Sequence, residues 1–154
     1  MDFQFRGSLK IVDLPLTVAS RQFEVWMAER SFRFKEEALY SHAPQSPGIY
    51  QLVTFDDQQN GVILFMGLTL EKSIFDALYE HWRGDRPPAV QDLLARYPNL
   101  YFGYVAQSDA KSAEDLKDLF WAMVQAEKPT LLDPRSVKPT GRYSEITYKD
   151  KSII

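Results

Sequence analysis

The sequence predicts an α+β fold, in which a small central sheet containing a β-hairpin is flanked by helices. Three observations carry that expectation. Residues 48–55 and 62–67 are dense in β-branched and aromatic side chains and flank a polar turn, Asp56–Gly61, that closes on Asn60-Gly61. A third run of the same kind, 100–106, lies between stretches whose apolar residues recur at helical spacing. The chain has 154 residues, 45% hydrophobic and 14% aromatic, enough for one domain with a real core.

Taken in order, Leu9–Leu14 reads as a short strand. Val18 to Arg30 reads as a helix, because Ala19, Phe23, Trp26, Met27 and Arg30 fall at helical spacing. The aromatic and basic stretch Ser31-Phe32-Arg33-Phe34-Lys35 suits a half-buried edge strand, since Glu36-Glu37 follows at once. In the hairpin, the second run lacks alternation and is expected to be covered on both faces. A helix from about Leu70 to Trp82 places Ile74, Ala77, Leu78, His81 and Trp82 on one face. Its start is open between Ser73, with Asp76 three residues on, and Thr69. A second helix begins near Pro88 and turns Val90, Leu93, Leu94 and Tyr97 inward. Ser112 caps a helix whose buried stripe is Leu116, Leu119, Phe120 and Met123, and Pro129 stops it. Tyr143–Tyr148 alternates weakly and reads as a last strand. Residues 48–55 and 62–67 should be antiparallel neighbours, with 100–106 in the same sheet and the helices at about 70–82 and 112–127 on its faces.

Composition excludes several functions. Without Cys there is no disulfide, thiol chemistry or Cys-based zinc or iron–sulfur site. A net charge of −3 argues against a dedicated nucleic-acid binder. The seven glycines are scattered and form no phosphate-cradling loop, and two His support no Ser–His–acid order. No apolar run approaches the ~20 residues of a membrane span, and Met1-Asp2-Phe3-Gln4-Phe5-Arg6 does not read as a signal peptide. The expected location is therefore cytoplasmic, with no membrane contact and no cofactor.

Four local stretches, in order, carry a resemblance. Pro47-Gly48-Ile49-Tyr50 stands as one half-motif, and Phe65-Met66-Gly67 occupies the place of a second, one hairpin later. Glu80-His81-Trp82-Arg83-Gly84-Asp85 closes the following helix, and the last helix stops at Lys128-Pro129. Over residues 45–133 this resembles the GIY-YIG nuclease superfamily, with 1–44 and 134–154 as extensions of a single domain. The resemblance implies phosphodiester cleavage with one divalent ion. In it, Tyr hydroxyls help to activate water, an Arg grips the phosphate and a Glu on the last helix holds the metal.

This chain departs from the pattern at most of those positions. Tyr50 keeps the first hydroxyl, but Phe65 stands where the family has Tyr, Ala77 where it has Arg and Phe120 near the Glu. The Asn after Lys-Pro is replaced by Leu132 or Asp133. One missing electrostatic stabiliser costs ~10²–10³ in rate, so the combined loss should leave almost no activity. The expectation is a binding or interaction module whose nuclease site is lost, with a protein or nucleic-acid partner and the acidic balance favouring protein. Its binding surface would draw on Gly48, Tyr50, Phe65, Gly67, His81, Arg83 and Arg86. Two alternatives stand beside it. A divergent nuclease would use Tyr50 on the water, His81 or Arg83 for charge, and Asp118 or Glu114 to hold Mg²⁺ or Mn²⁺. An unrelated α+β interaction domain would make Gly-Ile-Tyr accidental. The bland reading of each residue is also clear: Tyr50 as core, His81 as packing, and Arg83, Arg86, Arg96, Arg135, Lys138 and Arg142 as part of a mixed surface with Asp85, Asp92 and Asp133.

Overall fold

The computed structural model describes residues 19–152, and the strand predicted at Leu9–Leu14 lies outside them. In chain order the elements are β1 (Ser20–Met27), β2 (Phe32–Arg33), α1 (Glu36–His42), β3 (Gly48–Phe55) and β4 (Gly61–Thr69). They continue with α2 (Ile74–Arg83), α3 (Val90–Arg96), β5 (Leu100–Ser108), α4 (Ala113–Glu127), a 3-10 turn (Pro134–Ser136) and β6 (Glu145–Asp150). The fold class is α+β, as the patterning predicts. One mixed sheet has the order β4-β3-β5-β1-β6, and β2 pairs with β5 beside that path.

The hairpin forms, but its turn is not built on Asn60-Gly61. Asp56 organises it: its Oδ1 accepts from the backbone N–H of Gln58 at 2.9 Å and of Asn60 at 2.8 Å. The left-handed residue is Gln59, with φ 66°, and Gly61 already belongs to β4. Side-chain acceptors of this kind mimic a backbone turn, so the five residues 56–60 close without a two-residue primed turn. Further along, Leu52 faces Phe65 and Val53 faces Ile63, which leaves Leu64 as an extra residue. The bulge lets consecutive residues Leu64 and Phe65 pack against the same core.

β3 lies between β4 and β5, antiparallel to both, with Tyr50 opposite Gly67 on one side and Tyr104 on the other. Within the segment predicted as a helix from Val18 to Arg30, Ser20–Met27 is instead β1, antiparallel to β5 and parallel to β6, and Val18 lies outside the described residues. Phe23 and Val25 are fully buried, while Gln22 is exposed and Glu24 half-buried, the two-residue period of a strand with one covered face. Phe32-Arg33 continues along β5 as a short half-buried strand, close to expectation. The helix Glu36–His42 that follows has no counterpart in the sequence reading.

Two cores sit on opposite faces of the sheet. α1, α2 and α3 cover one face, where Leu39, Tyr50, Leu52, Leu78, Val90 and Phe102 meet. α4 covers the other, with Leu119, Met123 and Val124 against Phe23, Ile49 and Met66. Ser73, not Thr69, caps α2 by accepting from Asp76 N–H at 3.0 Å. Gly84 (φ 83°) ends it, the N–H groups of Gly84 and Asp85 returning to the carbonyls of His81 and Glu80. Among the described residues no helix is long and apolar enough to cross a membrane.

Candidate functional site

Tyr50 and His81 meet inside the core beneath α1–α3. The register puts Tyr50 opposite Gly67, and a Cβ at Gly67 would overlap the Tyr50 ring, so glycine is what lets that ring lie flat on β4. The Tyr50 hydroxyl then reaches His81 Nε2 at 2.8 Å. The other ring nitrogen, Nδ1, lies 3.0 Å from the carbonyl of Pro88. A carbonyl only accepts, so Nδ1 carries the proton and donates, and Nε2 accepts from Tyr50. Both polar groups are thus satisfied without water, and Phe65 packs edge-on against the imidazole at a centroid distance of 5.4 Å.

Burial decides the charge of this pair. Tyr50 is 1% and His81 0% exposed. Desolvation pushes the Tyr50 phenol up to about 12, against the opposing pull of the Arg86 guanidinium. Desolvation also holds His81 below its ordinary value, ahead of the Pro88 hydrogen bond that works the other way. Both groups are therefore neutral at neutral pH. An activated water or a phosphate would have to displace this packing to reach either.

The arginines beside the pair are each occupied. Arg86 donates through Nε to Glu80 at 2.9 Å, and Lys72 holds the second Glu80 oxygen. Lys72 first and Arg86 second keep that carboxyl below its usual range. Arg83 points outward, paired with Asp85 at 2.7 Å and lying over the Tyr79 ring at 5.3 Å. Arg135 pairs with Asp133 in the same local way.

The two acids considered as metal ligands lie across the sheet, on α4. Glu114 is exposed. Asp118 is fully buried and already saturated: Oδ1 accepts from Thr140 N–H at 2.8 Å, and Oδ2 from Thr140 Oγ1 and Arg142 Nη2, each at 2.8 Å. Arg142 also reaches Asp115 at 3.0 Å, and both carboxylates raise its pKa. These contacts clamp the tail onto α4 ahead of β6. Among the described residues no three His, Asp or Glu side chains converge as a metal site would require. Phe120, near where the resemblance would place a metal-binding Glu, is buried with the α4 core.

The structure therefore brings together Tyr50, Phe65, Gly67 and His81. It leaves Arg83 at the surface and puts Asp118 and Glu114 in the opposite layer. Gly48 lies apart, lining a cleft of about 240 Å³ with Pro47, Ile74, Val105, Gln107 and Leu116. Among the described residues no ionisable side chain lines that cleft. The sequence reading missed Pro88 as the second partner of His81, and Thr140 and Arg142 as partners of Asp118. Pro88 is seven residues from His81, and Thr140 and Arg142 lie 22 and 24 from Asp118, with no local pattern to connect them. Compared with protein-family models, curated proteins and solved structures, the chain finds no match.

Proposed function

We propose that this chain is a binding domain on a GIY-YIG-like core, without nuclease chemistry, and that its partner is a protein. The observation that carries this reading is the separation of the parts. Tyr50 and His81 are neutral, mutually hydrogen-bonded and buried under α1–α3, while the acids of α4 lie on the far side of the sheet. A metal-assisted displacement needs nucleophile, phosphate and metal within a few ångströms of one another. The order of hairpin, two helices, strand and helix over residues 48–127 supports the scaffold part of the reading.

Protein is favoured over nucleic acid by charge. Arg83, Arg86, Arg135 and Arg142 are each paired with a carboxylate of their own chain, so the arginines nearest the Tyr50–His81 pair and in the tail are already engaged, and the net charge of −3 gives no steering toward a polyanion. The uncharged cleft beside Gly48 suits an apolar or amide-bearing side chain instead.

The test is incubation of the protein with single- and double-stranded DNA and Mn²⁺, beside an identically prepared Tyr50→Phe variant. The expected result is no cleavage above that control, and no DNA binding that weakens steeply with salt. Cutting by the wild type alone would establish the nuclease instead, and salt-sensitive DNA binding would replace the protein partner.

A further inference from the structure

The two edges of the sheet are treated differently. At β4, the chain covers its own edge: Thr130 N–H donates to the Ile63 carbonyl at 3.2 Å and Leu131 N–H to that of Leu64 at 2.7 Å. At the other end, β6 pairs with β1 alone, and among the described residues no backbone group bonds to its outer side. An unpaired strand edge is a template for another strand.

The sequence of β6 states which strand. A two-fold antiparallel pairing of β6 with itself must match residues of the same face, so its centre falls on Ile146, Thr147 or Tyr148. Centred on Thr147, it sets Glu145 opposite Lys149 twice, Ile146 opposite Tyr148 twice, and Thr147 opposite itself. Centred on Ile146 it would set Glu145 against Thr147; centred on Tyr148 it would set Ile146 against Asp150 and Glu145 against Lys151, a lysine already paired with Glu24 at 3.9 Å. Glu145, Thr147 and Lys149 are exposed, and among the described residues neither charge has an ion-pair partner. On the other face an open groove of about 380 Å³ runs beside the edge, lined by Trp121, Ala122, Gln125, Ala126, Ile146 and Tyr148. A partner strand would close it, and two-fold symmetry would set the second groove next to the first.

We propose that β6 is a self-recognition edge, and that two copies of this chain join through antiparallel β6–β6 pairing centred on Thr147. The sheet then runs continuously through both copies. This surface is separate from the Tyr50–His81 pair and does not rest on the function proposed above.

The experiment is sedimentation equilibrium of the full chain over the micromolar range, with charge variants at the two exposed positions. Wild type should show a concentration-dependent dimer. Glu145→Lys or Lys149→Glu should each weaken it about tenfold or more, because two attractive cross-strand pairs become repulsive. Glu145→Lys is the cleaner of the two, since Lys149 also lies beside Glu24 in the β1 register. The double reversal Glu145→Lys/Lys149→Glu should restore the dimer. In a chain without other Cys, Thr147→Cys should oxidise to an intermolecular disulfide. A monomer at every concentration overturns the proposal, including one in which residues 1–18 of the same chain cover the edge. A dimer indifferent to the charge variants and to Thr147→Cys also overturns it, by locating the contact elsewhere.

Discussion

Tyr50 Oη donates to His81 Nε2 while His81 Nδ1 donates to the Pro88 carbonyl, so deprotonating Tyr50 removes the donor, and protonating His81 reverses the bond and leaves the phenol O–H without its acceptor. The pH consequences have opposite signs at the two ends of the scale. His81 has a folded pKa below its unfolded value of about 6.5, so the unfolded chain takes up the proton first. Stability from this group is fully present above about 6.5 and is lost as pH falls below it. The carboxyls of Glu80 and Asp115 are held low, by Lys72 and Arg86 in one case and in the other by Lys111 N–H and Arg142 outweighing desolvation, so their losses come at more acid pH. Tyr50, raised to about 12, contributes stability below its unfolded pKa of about 10 and loses it as pH rises toward 12. Urea unfolding at pH 7.5 and 5.5 should therefore show a lower midpoint at 5.5. Tyr50→Phe should cost about 1–3 kcal/mol at pH 7.5 by leaving His81 Nε2 buried without a donor. It should also abolish the part of the alkaline loss that belongs to the phenol. A midpoint unchanged by Tyr50→Phe would remove the hydrogen bond from the account.

The tail strand β6 reaches its place through one buried carboxylate. Asp118 gathers Thr140 and Arg142 on α4, and Ser144 N–H then meets the Ala19 carbonyl, which starts the parallel pairing with β1. Asp118→Ala removes the acceptor of the Thr140 N–H and should destabilise the fold by about 1–3 kcal/mol. Hydrogen exchange should then quicken along 145–150 more than in β3 or β4; uniform quickening would show that the clamp is not local to β6. This element also marks where pattern stops being informative. The hairpin is legible because two β-rich runs and a polar turn lie within one short window, and α4 because its apolar stripe and its Ser112 cap are local. β1 is ambiguous in any window: Phe23, Trp26 and Met27 fit a helical face as well as Phe23 and Val25 fit a strand. Pairing with β5 on one side and β6 on the other decides it, through contacts about 80 and 125 residues away. At the site, His81 on an apolar face is readable as a packed histidine. Its partner across 31 residues is not, nor is the saturation of Asp118 by a tail 22 to 24 residues on.

Across the molecule, the sheet divides what a nuclease would need to combine. Tyr50 and Phe65 of the resemblance face α1–α3, Ile49 and Met66 face α4, and the acids considered as metal ligands belong to α4 on that second side. The same sheet covers its β4 edge with its own chain and leaves its β6 edge without a described partner. The proposed interaction domain requires the Tyr50–His81 pair to be enclosed in solution as its geometry has it. With only two histidines in the chain, a nitrogen-15 spectrum of the imidazole rings resolves His81 from the exposed His42. At pH 6.5, where a free imidazole is about half protonated, His81 should be less than half protonated, its neutral form carrying the proton on Nδ1. A His81 that is half protonated or more at that pH, or that carries its proton on Nε2, would contradict the buried pair and return Tyr50 and His81 to the surface as a working site.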